Sequence, residues 1–185
     1  KMNMQGSFYV PAKTVLEQKV LDVNKIHFTL AKVNNIDDLV QSIKAEAEFY
    51  QPEYSLASFN EYFEEFAVAD PFDCKEVIFV KRMLQHALPE ELRNIILDKL
   101  FEQYVGLNEE AFSRDLYMDK DQLEQLVHDG MHVGCHGYDH YWCNKLDNEA
   151  LTQELEKSKE FLVSLGCDMD NWTACYPHGS YDKQV

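Results

Sequence analysis

A change of rhythm near Met118 constrains this chain more than any other feature. From Asn34 to that point the apolar residues recur at helical spacing for about 85 residues. After it, helical segments alternate with short β-like runs. Residues 119–130 read as a helix opened by Asp119 and stopped by Gly130, with Leu123, Leu126 and Val127 on one face. Residues 131–135 read as a strand. Asp147 then caps a long helix carrying Leu151, Leu155, Phe161, Leu162 and Leu165, ended by Gly166, and residues 172–176 read as a second strand before the turn at Pro177. Alternation of this kind belongs to an α/β barrel or layered sheet.

The opening residues 6–10 read as a short buried strand closed by Pro11, followed by a short helix over 14–21. Residues 23–33 suit neither period. Within the helical stretch, Asn35, Asp73 and Asn108 are placed to cap helices and residues 58–67 carry Phe59, Tyr62, Phe63 and Phe66 at helical spacing. Pro89 with Glu90 and Glu91 suits a first turn, and Gly106 suits a helix end. The aromatic stripe reads as packed core. The expected division is therefore 1–33 with 119–185 as an α/β part, and 34–118 as a helical insertion subdomain. With a strand so near each terminus, the chain reads as an interior stretch of a longer protein.

Apolar residues make up 45% of the 185, enough to bury a core, and the formal net charge is −16. Such a surface repels phosphate backbones and anionic membranes, which argues against nucleic acid as a partner. No apolar run approaches the ~20 residues needed to span a bilayer. The five cysteines (Cys74, Cys135, Cys143, Cys167, Cys175) are odd in number and form no CxxC pair, so they read as free thiols.

Chemistry concentrates just past the strand at 131–135. His136 and His140 are four apart, a spacing that puts both imidazoles on one side of a helical turn. Neutral imidazole suits zinc, cobalt or nickel, and loops at strand C-terminal ends are where α/β folds build sites. Histidines four apart also arise by chance, so the spacing alone leaves both readings open. Asp139 reads equally as a carboxylate holding a ligand imidazole or as a solvated loop residue. Cys135 and Cys143 read as packed thiols, His128 and His132 as structural or exposed, and His27 and His86 have no partner in sequence. Asp182 is a weak candidate to line a groove.

The run from Gly130 through Cys135, His136, Gly137, Tyr138 and Asp139 to His140 resembles the second motif of the polysaccharide deacetylase family (carbohydrate esterase family 4, the nodulation-protein-B homology domain). Residues 175–179 (Cys175, Tyr176, Pro177, His178, Gly179) resemble its third motif, Arg-x-Pro-aromatic-Gly. The strand at 6–10 resembles the family's second barrel strand. The resemblance covers about residues 4–16 and 119–182. Gly137 stands where Ser or Thr is usual, Cys175 replaces the arginine and His178 replaces the aromatic.

The resemblance implies a distorted (β/α) barrel with a helical insertion. It implies that His136 and His140 bind a divalent metal, zinc by expectation, and that the His178 backbone N–H is an oxyanion donor. Tyr176, Pro177 and His178 would contact substrate. The family's aspartate motif (third ligand and general base) and its Leu-x-His acid have no matching residue here. The reaction implied is metal-dependent hydrolysis of N-acetyl groups on a sugar or polysaccharide. Free thiols and no visible secretion signal add the expectation of a cytoplasmic enzyme of surface polysaccharide synthesis. The arginine orients the base in the family, so Cys175 keeps open a catalytically inactive binding or scaffold protein. A metallo-amidase on a non-sugar substrate is the other alternative. The helical part suits either a cap or a homo-oligomer interface.

Overall fold

A computed structural model describes residues 4–183 and 185. In chain order the elements are β1 (Ser7–Val10), α1 (Ala12–Leu16), α2 (Asp22–Lys32), α3 (Ile36–Tyr54), α4 (Phe59–Phe66), α5 (Lys75–Arg82) and a π-helical turn (Met83–Ala87). There follow α6 (Glu90–Tyr104), α7 (Glu109–Leu116), α8 (Lys120–His128), β2 (His132–Cys135), a 3-10 turn (Cys143–Lys145), α9 (Asn148–Ser164) and a 3-10 turn (Pro177–Gly179). No helix among the described residues is long and apolar enough to cross a membrane.

The chain divides into two units, residues 1–21 with 108–185, and residues 22–107. The expected boundaries of 34 and 118 both shift towards the N-terminus, for two reasons. Residues 22–32 form a helix whose Ile26 and Thr29 are buried, with Ile26 in the core of the helical unit beside Leu39, Phe79 and Leu92. Residues 109–116 instead tie to the first unit. Glu109 accepts from Lys19 Nζ (2.8 Å) and Val20 N–H (3.1 Å), and the buried Ser113 hydroxyl donates to the Lys19 carbonyl.

The helical unit encloses an apolar core in which Phe79 is fully buried against the rings of Phe59 (5.4 Å) and Phe63 (4.9 Å). One cap follows the sequence reading: Asn35 accepts from Asp37 N–H. Ser58, not read as a cap, forms a reciprocal capping box with Glu61. At α5 the reading fails: Cys74, not Asp73, occupies the N-cap and makes no side-chain bond there, and the Asp73 carboxylate accepts from Lys81 at 2.5 Å.

In the other unit β1 and β2 run parallel, Tyr9 opposite Gly134 and Val10 opposite Cys135. The expected strand at 172–176 is reduced to a bridge between Cys135 and Ala174, with Cys135 N–H donating to the Thr173 carbonyl and Cys175 N–H to the Cys135 carbonyl, both at 2.9 Å. Two bonds are all that fit before Pro177 turns the chain. β1 is not the buried strand expected. It is the outer of the two paired strands, and Phe8 and Tyr9 stay 39% and 38% exposed. Among the described residues the sheet has two strands, so the α/β class holds and a closed barrel is not seen. Ala12, Leu123, Val133, Phe161, Leu162 and Leu165 form the core beneath it. Asp119 and Asp147 cap α8 and α9 as their sequence positions predict.

Candidate functional site

β2 ends at Cys135, and the next five residues form a loop closed by two left-handed positions, Gly137 (φ 76°) and His140 (φ 64°). The short strand thus delivers His136 at its end, and the turn brings His140 back beside it. Their rings lie 4.7 Å apart, edge to face. His136 Nδ1 lies 2.7 Å from the Cys175 carbonyl oxygen. A carbonyl only accepts, so Nδ1 carries a proton and Nε2 is the nitrogen left to face a ligand. His140 is half-buried, and desolvation there, with the neighbouring rings of His178 and His136, pushes its pKa down to about 3. At neutral pH it is an uncharged imidazole.

The turn at 177–179 adds a third ring. His178, at φ 57°, lies 4.7 Å from the His140 ring, and the Trp142 indole stacks on it at 4.7 Å with the planes 4° apart. Pro177 is buried, whereas Tyr176 is 40% exposed and stacks on Tyr181 at 5.7 Å. The three imidazoles are contiguous, yet among the described residues no group of three or more His, Cys, Asp or Glu is arranged to hold a metal ion.

Several supporting residues have no signature in a motif. The buried Ser180 hydroxyl accepts from Cys143 N–H (2.8 Å) and donates to the Pro177 carbonyl (2.9 Å), tying the turn at 177 to the segment after the histidines. The first amides of α1, Ala12 and Lys13, donate to the carbonyls of Gly137 and Tyr138. Lys13 forms an ion pair with Asp139, so that carboxylate serves α1 rather than a histidine. Glu154 of α9 is buried, and its Oε1 accepts from the amides of Tyr138 and Asp139 at 2.8 Å each. Burial pushes its carboxyl upward in pKa, and the amides of Asp139, Tyr138 and His140 oppose that. A carboxylate between Leu151 and Ser158, in register with Phe161 and Leu162, was the sequence signal that could have found it.

The remaining candidates are packing or surface groups. His132 Nε2 lies 2.6 Å from the Thr173 hydroxyl, His128 is solvent-exposed beside Asp129, and Asp182 accepts from Val185 N–H. Cys143 is buried with its thiol pKa raised, chiefly by that burial. The Cys175 side chain is exposed, and it is its backbone that serves the site.

Gly137 has a steric reason for departing from Ser or Thr. A Cβ there would come within 2.8 Å of Glu154 Oε1, on a backbone that L residues rarely adopt. Gly137→Ala is therefore expected to cost about 1–2 kcal/mol for the left-handed conformation alone, plus displacement of the carboxylate. Gly130→Ala is the control. Its φ is 79° with nothing within 4 Å, so it bears the conformational cost only. Urea unfolding of both variants should show Gly137→Ala as the more destabilised.

His136 and His140 thus stand together just past the end of β2, with the buried Glu154 carboxylate bonded to the loop that joins them. Residues 96–185 match the family model for polysaccharide deacetylase. The match takes in the histidine loop and the turn at 177, begins within α6, and leaves β1 outside. No curated protein and no solved structure matches the chain.

Proposed function

We propose that this chain carries part of the centre of a metal-dependent deacetylase that hydrolyses N-acetyl groups on a sugar or polysaccharide. One observation carries the reading most. The Cys175 carbonyl engages His136 Nδ1 and leaves its Nε2 to face a ligand, beside a second imidazole that desolvation keeps neutral. The donor set fits a divalent ion such as zinc. His136 and His140 would hold it, with the third donor supplied by an aspartate that the family resemblance implies and no residue of this chain matches. When bound, zinc lowers the pKa of a water and polarises the acyl carbonyl.

The chain's own residues would do the rest. The His178 backbone N–H is the proposed donor to the tetrahedral oxyanion. Tyr176 presents an exposed ring and Pro177 supports the turn from beneath, forming one wall for the sugar. The (β/α) barrel, with residues 22–107 as a helical insertion, is the architecture this reading implies. A cytoplasmic setting and a role in surface polysaccharide synthesis remain expectations of the same reading. The departure at Cys175 favours one alternative, a binding protein that kept the fold without the chemistry.

The test is a calorimetric zinc titration, followed by acetate release from N-acetylated glycans. One-to-one binding that weakens roughly 100-fold or more in His136→Ala and in His140→Ala is expected, since losing even a partner of a ligand costs 10–100-fold. Binding indifferent to both substitutions would sink the metal centre. Binding without acetate release would favour the binding protein.

A further inference from the structure

We propose that Glu154 is a positioning residue for the histidine loop, holding His136 and His140 in register by gripping the amides between them. The inference rests on the reading that these histidines bind metal.

The loop between the two histidines is three residues long, and its backbone is bound on both sides. Its carbonyls, at Gly137 and Tyr138, accept from the first amides of α1. Its amides, at Tyr138 and Asp139, donate to a single oxygen of Glu154, 2.8 Å from each. His136 at one end is fixed by its own amide on the Val10 carbonyl and by its ring on the Cys175 carbonyl. Glu154 is therefore the side chain that ties the middle of the loop to α9. It reaches the loop from a helix whose same face buries Leu151, Ser158, Phe161 and Leu162 in the core. A carboxylate on such a face is costly unless hydrogen-bonded, and amide donors offset that cost. Gly137 completes the arrangement, because a side chain there would meet the same oxygen at 2.8 Å.

A purely structural role makes the opposite forecast for one substitution. Glu154→Leu replaces a buried carboxylate by an apolar group on an apolar helix face. If Glu154 only filled the core, the variant would fold and bind zinc as well as wild type. As a positioning residue, its loss frees the loop while α9 stays packed. The full chain is used with two readouts, amide hydrogen exchange of the metal-free protein and zinc affinity by calorimetry.

Glu154→Leu is expected to unfold at or above the wild-type midpoint. Its Tyr138 and Asp139 amides should exchange about 10-fold faster or more, with zinc affinity about 10-fold lower or more, the range seen when ligand-orienting partners are removed. Glu154→Gln keeps an acceptor oxygen and should restore both to within about threefold of wild type. The proposal is overturned if Tyr138 and Asp139 stay protected in Glu154→Leu, or if that variant binds zinc like wild type. Should Glu154→Leu fail to fold, Glu154→Gln decides alone, and a zinc affinity reduced there as far as in His140→Ala would overturn it. If wild type itself binds no zinc, the metal reading fails by that control. The exchange of the two amides then decides separately whether Glu154 holds the loop.

Discussion

His140→Ala is expected to remove the zinc binding proposed above and, in the metal-free protein, to flatten the loss of stability on acidification. The second effect follows from desolvation of its ring. His140 has its pKa held down to about 3, mainly by desolvation and then by the rings of His178 and His136. An unfolded chain takes up that proton near the ordinary value of about 6.5. Between those values the unfolded state binds a proton that the folded state does not, so stability rises with pH. The contribution is fully present above about pH 6.5 and is lost as pH falls towards 3. Between pH 7 and 5 the loss is about 1–2 kcal/mol. Glu154 works the other way. Its raised carboxyl favours the folded state in acid, and that contribution is lost as pH rises through its folded value. With His140 gone, the loss of stability from pH 7 to 5 should be smaller than in wild type by about 1–2 kcal/mol. Urea unfolding at the two pH values measures this. A slope in His140→Ala equal to that of wild type would contradict it.

The largest loss of stability is expected from Phe79→Ala, about 3–5 kcal/mol. Phe79 is wholly buried, with Phe59 and Phe63 packed on its ring at 5.4 and 4.9 Å, so truncation leaves a cavity with aromatic walls. Phe72 is the internal comparison. It is 93% exposed, and Phe72→Ala should stay within about 0.5 kcal/mol of wild type. Denaturant unfolding followed by circular dichroism suits a unit built entirely of helices. A loss below about 1 kcal/mol for Phe79→Ala would mean that this core is not packed as described.

Much of the local architecture was legible because its causes lie within one helical turn. Asn35, Asn108, Asp119 and Asp147 all cap helices, each accepting an amide two or three residues ahead. Asp73 failed that rule: Cys74 takes the N-cap, and the Asp73 carboxylate accepts from Lys81, eight residues on. The two-histidine loop was legible only in part. A spacing of four marks His136 and His140 as a pair, but an irregular loop turned at Gly137 and His140, not a helical turn, brings their rings together.

What sequence alone determined, then, is the helix starts at Asn35, Asn108, Asp119 and Asp147, the short strand before His136 and the resemblance of the stretch that holds the two histidines; α1, read at 14–21, lies at Ala12–Leu16, and residues 23–33, which suited neither period, lie within and just beyond α2. The tertiary structure decided which helix belongs to which core, drawing residues 22–32 into the helical unit through Ile26. It also left β1 half exposed and turned the segment at 172–176 into a single bridge. Above all it supplied the groups that prepare the site. The Cys175 carbonyl lies 39 residues from His136, Glu154 lies 15 and 16 residues from the amides it binds, and Ser180 lies 37 from Cys143. Helical periodicity and capping are settled by bonds that span three or four residues. The orientation of a histidine ring and the grip on a loop are settled by groups that meet only after the chain has folded.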